Sequence, residues 1–529
     1  MAIATDKKQK SRVAVIGAGI GGLTTGALLA RRGYEVTIFD QAIVPGGCAS
    51  TFKRRGFTFD VGATQVAGLE PGGIHHRIFS ELDIEPPAAT FCDPACAVFL
   101  PGETEPINVW RDANKWKEER QRQFPGSEPF WQLMNRLFQA SWKFQGRDPV
   151  LPPRNFWDLW QLISAVRLDT LITVPFTLLT VGDALKLYGL DKDQRLKTFL
   201  DLQLKLYSQV GADETALLYA ATALAVSQSP QGLFHLQGSM QVLSDRLVAG
   251  LEKYGGKLLM GHSVQQIHTQ SGKVMGITVS SQKTGETWTE AAEEVVANLT
   301  AQNLVKLIDQ KSPPSQESAG GSFKNYQRRV DKIPQPSGAF VVYLGVKQEA
   351  IPQGCSPHLQ FLYNENEIIG ENNSLFVSVS KPGDGRAPEG QVTVIASSFT
   401  DVDMWWKGTD KDYADLKQQY TQEAIALLGS YFDFQDKNII YTEAATPRTF
   451  ATFTAREKGI VGGLGQRVST FGPFGFANRT PIKDLWLVGD STHPGEGTAG
   501  VSYSALTVTR QIEAKSKGCK RSFSITKRT

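Results

Sequence analysis

The feature that most constrains this chain is a glycine-rich turn between an apolar strand and a helix. Residues 13–16 form a short apolar run that indicates a buried parallel strand, and residues 23–32 are typical of the helix that follows it. Gly17 permits the tight turn, Gly19 lets a pyrophosphate approach the backbone, and Gly22 lets the helix pack closely on the strand. The helix N-terminus would then face two phosphates. The turn therefore predicts a dinucleotide-binding site.

The segment after this helix supports that prediction. A single glycine motif of this kind is weak evidence, but here a second apolar strand follows and ends in Asp40. That spacing is the one expected for an acid that accepts a hydrogen bond from a ribose hydroxyl. The competing interpretation is a strand, turn and helix whose glycines serve only packing. The context favours the dinucleotide site.

Length and composition narrow the class of protein. A chain of 529 residues exceeds what one hydrophobic core usually serves, so two interleaved or successive domains are expected. A net charge of +3 argues against a nucleic-acid-binding protein. Both ends are nevertheless basic, residues 7–12 and 515–528, which suits either solvated tails or attraction to anionic lipid.

Several other classes of protein are not indicated. The five cysteines match neither zinc spacing nor a disulfide framework, which fits a reducing compartment. The seven histidines form no metal-binding array, so no metal site is expected. No stretch approaches the roughly 20 apolar residues of a membrane-spanning helix, and we expect a protein that is not integral to a membrane.

The middle of the chain is unusually aromatic. Six of the ten tryptophans lie between residues 110 and 160, and an apolar stretch follows at 171–181. Tryptophan concentrates where one face is apolar and the other wet, as at a membrane interface or the mouth of an apolar cavity. The alternative is an aromatic-rich helical core. We favour the first interpretation for the cluster as a whole and predict a helical cap over residues 101–230. The six tryptophans are Trp110, Trp116, Trp131, Trp142, Trp157 and Trp160.

The remaining patterns predict a discontinuous arrangement. Strands and a helix between residues 231 and 300 resume the dinucleotide-binding fold begun by residues 1–100, and residues 471–529 complete it. Residues 301–470 predict the strands of a second, mixed sheet. A glycine cluster at 461–465 lacks the preceding strand and the following acid of a nucleotide loop, so no separate NAD(P)H domain is expected.

A second glycine pair distinguishes between dinucleotides. Gly46 and Gly47 follow the acidic strand directly, whereas an NAD-binding half would continue into another strand and helix. This order resembles flavoproteins of the amine oxidase and phytoene desaturase group, in which the pair carries the backbone toward the flavin. The resemblance implies FAD as the cofactor.

The closing motif is the second strong signal. An apolar strand runs into Gly489 and Asp490, and a helix begins shortly afterwards. Gly489 would let the backbone pass close to the cofactor, and Asp490 would receive a ribityl or ribose hydroxyl. The helix N-terminus near Gly500 and Val501 would lie at the flavin C2 carbonyl and stabilise negative charge on the reduced ring.

Together these motifs resemble the bacterial-type phytoene desaturase and carotenoid isomerase family over nearly the whole chain. Residues 47–73 are most similar to the cyanobacterial C-3',4' carotenoid desaturases. The resemblance implies an α/β fold, an FAD-binding Rossmann-type domain interleaved with a mixed-sheet substrate domain and the helical cap. It also implies that Val264 contacts adenine through its backbone. Many relatives carry a basic residue where this chain has Cys48, and the nearby cations of residues 53–55 are candidates to replace it.

The resemblance implies a reaction on an apolar C40 carotenoid. At about 0.8 kcal/mol per carbon, moving some forty carbons into water would cost on the order of 30 kcal/mol, so the enzyme should dock on a membrane. We expect a peripheral protein on the cytoplasmic side that introduces a C-3',4' double bond. FAD would accept the hydride and oxygen or a quinone would accept the electrons. Glu496, an acid between glycines beside the predicted flavin, is the candidate to assist catalysis, although it could instead only cap the next helix.

Three alternatives remain open at this point. A reduced flavin could isomerise a polyene without net oxidation, and the same fold could serve an amine or porphyrinogen oxidase with a more polar cavity. A non-catalytic escort protein for prenyl lipids is the alternative from another class. Retention of both cofactor motifs argues against the escort protein.

Overall fold

The structure is a computed structural model that describes residues 11–308 and 320–525. Its helices in chain order are α1 (Ile20–Arg31), α2 (Ile74–Leu82), α3 (Ala113–Gln123), α4 (Glu128–Gln145), α5 (Phe156–Ala165), α6 (Leu168–Leu171), α7 (Val181–Leu187), α8 (Gln194–Ser208), α9 (Leu217–Ala225), α10 (Gln241–Lys253), α11 (Ala301–Leu307), α12 (Gly320–Asp331), α13 (Asp410–Leu428), α14 (Pro447–Thr454) and α15 (Gly497–Ile525).

The strands of the described residues form several sheets. In chain order they are β1 (Arg12–Ile16), β2 (Glu35–Asp40), β3 (Thr51–Arg54), β4 (Phe57–Asp60), β5 (Val66–Ala67), β6 (Ala89–Phe91), β7 (Cys96–Phe99), β8 (Ile107–Val109), β9 (Leu233–Leu236), β10 (Lys257–Met260), β11 (His262–Gln270), β12 (Lys273–Ser281), β13 (Thr287–Ala291), β14 (Glu294–Ala297), β15 (Gly338–Lys347), β16 (His358–Leu362), β17 (Ser374–Val379), β18 (Gln391–Thr400), β19 (Ile439–Ala445) and β20 (Leu485–Leu487).

A five-stranded parallel sheet in the order β10-β2-β1-β14-β20 positions the site. Its strands are apolar and β14 and β20 are fully buried, as expected for a parallel sheet that is covered on both faces. The carboxyl ends of these strands meet at one edge, where ligands bind in open α/β sheets. The predicted α/β fold with a Rossmann-type domain is confirmed.

A seven-stranded mixed sheet in the order β19-β15-β18-β17-β16-β7-β8 forms the second layer. Its core includes the stacked rings of Phe340 and Trp405, 5.6 Å apart. Strand β7 pairs with β16 in this sheet, although the sequence analysis placed residues up to 100 in the cofactor-binding part. The proposed division of the chain into domains otherwise stays a prediction.

The aromatic helices divide into two groups. Trp116 and Trp131 are buried and pack against each other with ring centroids 5.7 Å apart, so the core interpretation holds for them. Trp160 on α5 is 58 % exposed and follows Phe156, which is 82 % exposed. The cluster as a whole is therefore not one surface, because some of its tryptophans are buried and others are exposed. None of the helices in the described parts of the chain is long and apolar enough to cross a membrane.

Candidate functional site

A cavity of about 520 Å³ lies along the carboxyl edge of the parallel sheet. Its volume falls within the range of cavities that bind small molecules. Segments distant in sequence contribute to it, from the turn after β1 to the start of α15. Most of the predicted residues line it, namely Gly17, Gly19, Asp40, Gly46, Gly47, Val264, Gly489, Asp490, Glu496 and Val501, whereas Gly22 and Gly500 do not.

The glycine turn after β1 is closed too tightly for side chains. Gly17 has a φ of +95°, and a Cβ at Gly22 would lie only 2.0 Å from the carbonyl oxygen of Gly17. Gly22 therefore allows the turn to close on itself. The sequence analysis ascribed to Gly22 the close packing of α1 on β1. A further glycine of α1, Gly26, lets the helix pack on β2, because a Cβ there would lie 2.6 Å from Cδ1 of Ile38.

Asn298, directly after β14, was not among the predicted site residues. Its amide lies beside the glycine turn, since a Cβ at Gly19 would be 2.8 Å from Nδ2 and a Cβ at Gly21 would be 2.7 Å from Oδ1. A Cβ at Gly489 would also lie 3.2 Å from Oδ1. Asn298 thus fills the space between the two glycine motifs. The signal was available in the sequence, because a polar residue at the carboxyl end of a predicted parallel strand falls at the ligand-binding edge.

Asp40 secures the turn. Its Oδ2 accepts a hydrogen bond from the backbone N–H of Ala18 at 2.6 Å, and its Oδ1 accepts one from Ala42 at 2.7 Å. Burial raises the pKa of this carboxyl group, against the effect of these two donors. A carboxylate can accept about four hydrogen bonds, so it can still receive a ribose hydroxyl. Binding of ribose by Asp40 remains a prediction.

The second glycine pair packs on the first motif. The N–H of Gly46, whose φ is +120°, donates to the carbonyl of Ala18 at 2.8 Å. A Cβ at Gly47 would lie 3.4 Å from Cα of Gly19. The backbone after β2 therefore returns to the turn after β1, and the two motifs form one wall of the cavity.

The cations of residues 53–55 lie elsewhere. Arg54 pairs with Glu443 at 3.5 Å, the Arg55 guanidinium lies over the ring of Tyr441, and none of the three lines the cavity. Arg456 and Lys306 do line it. Strand β3 carries residues 53 and 54 away from the sheet edge, which is why proximity in sequence to the glycine pair did not bring them to the site.

Arg456 engages the predicted Asp490. Its Nη2 donates to Oδ2 of Asp490, and its Nη1 donates to the carbonyl of Gly462 at 2.7 Å. Burial disfavours the charged guanidinium, but Asp490, Cys48 and Glu496 together outweigh that effect and raise the pKa of Arg456. The pair keeps Asp490 held at the cavity. Arg456 lies between ordinary residues after α14, and no local pattern could have indicated it.

Glu496 is seated by the glycine cluster that follows α14. A Cβ at Gly462 would lie 2.5 Å from its Oε2, and one at Gly463 would lie 3.2 Å from its Cγ. Oε2 accepts a hydrogen bond from Nε2 of Gln209 at 3.2 Å. Burial, and then the charge of Asp490, raise the pKa of Glu496 to about 7. This carboxyl group can therefore take up or release a proton near neutral pH.

Helix α15 begins earlier than its predicted contact residues. It starts at Gly497, so its first turn includes Gly500, where a Cβ would lie 2.5 Å from the carbonyl oxygen of Gly495. Gly500 allows the helix to approach the preceding loop, and Val501 is the one of the two that lines the cavity. The free N–H groups of a first helical turn suit an electronegative ligand atom.

The raised pKa of Glu496 predicts a pH-dependent contribution to stability. Between about pH 4.5 and about pH 7 the folded protein keeps a proton that the unfolded chain releases, so this contribution is complete at lower pH and is lost as the pH rises through 7. The melting temperature of the wild type should therefore fall relative to that of Glu496→Gln when the pH is raised from about 5 to about 8. A constant difference measured by circular dichroism would contradict the assignment.

Known proteins resemble this chain in sequence. A model of the NAD(P)-binding Rossmann-like domain matches residues 15–82. Prolycopene isomerase 2, chloroplastic, of an Oncidium hybrid cultivar is 27 % identical over 510 residues, which cover 94 % of this chain and 83 % of the isomerase. The zeta-carotene-forming phytoene desaturase of Myxococcus xanthus is 23 % identical over 95 % of this chain and 94 % of the desaturase.

A solved structure with the same fold is cyclohexylamine oxidase from Brevibacterium oxydans. It superposes with a TM-score of 0.60 at 16 % identity, covering 96 % of this chain and 100 % of the oxidase. At this identity the match concerns the fold. The sequence relatives, aligned over 94–95 % of this chain, support the predicted resemblance to the phytoene desaturase and carotenoid isomerase family and the predicted class of oxidoreductase.

Proposed function

We propose that this protein binds FAD along the cavity and acts as a carotenoid desaturase, with C-3',4' desaturation as its reaction. The fold and its relatives indicate a flavin or nicotinamide cofactor. FAD is favoured over a nicotinamide cofactor because the two glycine motifs form one wall of the cavity and the loop before α15 closes its other end. In this arrangement the turn at Gly19 and the N-terminus of α1 would hold the pyrophosphate, and Asp40 would hold a ribose.

The substitution Gly19→Val tests the cofactor site. A branched side chain there would meet the amide of Asn298, because even a Cβ would lie 2.8 Å from Nδ2. A clash of this kind costs about 1–3 kcal/mol, so we expect roughly tenfold less flavin per purified chain. Gly146→Val is the matched control, since a Cβ there would make an ordinary 3.4 Å contact with the carbonyl oxygen of Trp142. Full flavin content in Gly19→Val, measured by absorbance, would show that the placement is wrong.

The observation that carries the desaturation proposal is the carboxyl group of Glu496 beside the cavity. Removal of two hydrogens from a C–C single bond releases a hydride and a proton. The flavin supplies a hydride acceptor, and the carboxylate of Glu496 would take the proton. With a pKa of about 7 this group is ionised in a large fraction of molecules at neutral pH. Oxygen or a quinone would then accept the electrons.

A second candidate is cis-trans isomerisation of a carotenoid. The observation in its favour is that several full-length relatives are prolycopene isomerases, with identities of 25–27 %. Isomerisation would require the same cavity and no net loss of hydrogen. Glu496 would then have no proton to remove.

Incubation with a monocyclic carotenoid in liposomes distinguishes the two reactions. Desaturation should shift the absorption to longer wavelength and lower the mass of the carotenoid by two hydrogens. Glu496→Gln should slow that reaction by about 10²–10⁴-fold, as expected for loss of a general base. A new isomer of unchanged mass would establish the isomerase instead. A protein with bound flavin that changes no carotenoid would contradict both candidates.

The same proposal includes docking on a membrane. Residues 156–178 form an apolar surface whose largest exposed side chains are Phe156, Trp160, Ile163, Leu168, Val174 and Leu178. Phe156, Trp160 and Ile163 recur at helical spacing on α5 and so lie on one face. The exposed cations Arg154, just before this segment, and Arg167, within it, suit anionic lipid. A lipid occupant is consistent with a substrate too apolar to cross water.

Other parts of the docking hypothesis need revision. Trp157, one of the six tryptophans, and Phe176, in the apolar stretch 171–181, are half-buried, with the Arg510 guanidinium over the ring of Trp157. Lys515 pairs with Glu294 and Asp484. Residues 7–10 and 526–529 of the basic ends lie outside the described residues, as do the side chains of 517–525. Attachment to the cytoplasmic side of a membrane stays part of the proposal.

Polar substitution of the apolar surface tests docking. The double variant Trp160→Ser and Leu168→Ser should reduce binding to liposomes of phosphatidylglycerol and phosphatidylcholine by at least about tenfold, because it removes two exposed apolar anchors. The control pair is Ile43→Ser and Met275→Ser, which are exposed on the cofactor-binding part. Equal cosedimentation of both variants with wild type would exclude this surface.

A further inference from the structure

Gln209 adopts an unusual backbone conformation at the end of helix α8. Its φ is +66°, in the left-handed region, and its side chain is only 5 % exposed. Helices often end in this conformation, but with glycine or asparagine, because other side chains are strained there. A buried glutamine at this position indicates that its side chain has a role that offsets the strain.

The side chain of Gln209 joins three distant segments. Its Nε2 donates to the carbonyl of Val461 at 2.6 Å and to Oε2 of Glu496 at 3.2 Å. Since a carbonyl can only accept, the contact with Val461 fixes which end of the amide is the nitrogen. The amide oxygen Oε1 of Gln209 is buried without a partner, and so is Oε1 of Glu496. Each residue therefore retains one acceptor oxygen without a hydrogen-bond partner.

The contact between Gln209 and Glu496 requires a glycine at position 462. A Cβ at Gly462 would lie 1.6 Å from Nε2 of Gln209 and 2.5 Å from Oε2 of Glu496. The φ of Gly462 is +68°, so both its space and its backbone suit glycine. The turn after α14 is thus shaped around this contact between the cap and the cofactor cavity.

We propose that Gln209 is a positioning residue, whose amide holds Oε2 of Glu496 against the glycine turn while Oε1 has no partner, so that the carboxyl group can gain or lose a proton beside the cavity. This inference rests on the proposed function, in which Glu496 takes up a proton. Through Gln209 the helical cap, which carries the apolar surface, also sets the position of the reacting carboxyl group.

Several charged groups act on Glu496 besides Gln209. Asp490 raises its pKa, whereas hydrogen bonds from Gln209, the Gly463 backbone and Gln466 lower it. Arg456, Lys205 on α8 and Tyr219 on α9 also interact with it electrostatically. Arg456 is paired with Asp490. Because the Gln209 hydrogen bond favours the ionised form, its loss should make the carboxyl group hold its proton more tightly.

The substitution Gln209→Gly separates positioning from folding. Glycine takes the left-handed conformation without strain, so the variant should fold, yet it lacks the side-chain amide that contacts Glu496. Infrared titration of the flavin-loaded protein would follow the C=O stretch of the protonated carboxyl group, identified by its loss in Glu496→Gln. We expect about tenfold tighter proton binding to Glu496 in Gln209→Gly, the typical effect of one hydrogen bond to a charged group.

Asp83→Gly is the matched control. Asp83 also ends a helix with a positive φ, of +51°, and lies on the exposed surface. This variant relieves similar strain and should leave the titration midpoint of Glu496 unchanged. An unchanged midpoint in Gln209→Gly, or the same shift in Asp83→Gly, would overturn the proposal.

The pH dependence of turnover provides the second readout. In Gln209→Gly the ionisation that limits kcat should move to higher pH in parallel with the infrared midpoint. A lower kcat at every pH with no such movement would indicate a structural role and overturn the proposal. A wild type that converts no carotenoid, together with a shifted infrared midpoint of Glu496 in Gln209→Gly, would support the positioning of Glu496 by Gln209 and contradict the proposed reaction.

Discussion

The shape of this site depends on backbone segments that approach one another closely. A Cβ added at Gly22 would lie 2.0 Å from the carbonyl oxygen of Gly17. One at Gly463 would lie 2.4 Å from the carbonyl oxygen of Asp490, and one at Gly500 would lie 2.5 Å from that of Gly495. The first contact closes the turn between β1 and α1, the second joins the turn after α14 to the loop after β20, and the third packs the start of α15 on that loop. Side chains are excluded where the segments meet, so the cavity is shaped largely by backbone. Its few polar side chains can then be placed with little freedom to move.

A buried ionic network holds the second sheet against this arrangement. Arg386, in the loop before β18, pairs with Asp384 at 2.9 Å and faces Asp60 of β4 at 3.2 Å. Asp60 also accepts a hydrogen bond from the N–H of Met240 at 2.8 Å, at the start of α10. Buried charges are costly unless their partners are all present. The network therefore favours one relative position of β4, α10 and the second sheet, and β4 pairs with β3, the strand that follows the second glycine pair.

The glycine motifs of the site could be predicted because each is defined by residues that are neighbours in the sequence. The turn at Gly17 and Gly19 and the loop at Gly489 follow apolar strands, and parallel strands end at a common edge. Arg456 and Gln209 could not be found in this way. Each reaches the site through contacts with residues far along the chain, and neither lies in a recognisable motif. The aromatic cap shows the same limit, since composition did not distinguish the buried Trp131 from the exposed Trp160.

Hydrogen bonding explains why Glu496, rather than another acid of the cavity, suits proton transfer. Both oxygens of Asp40 accept backbone hydrogen bonds, and the one from Ala18 holds the glycine turn, so protonation there would disturb the turn itself. Asp490 is paired with the guanidinium of Arg456, and this contact holds it at the cavity. Glu496 has one oxygen held by Gln209 and the other without a partner, and its pKa is about 7. It can gain or lose a proton while the contacts that shape the cavity remain in place.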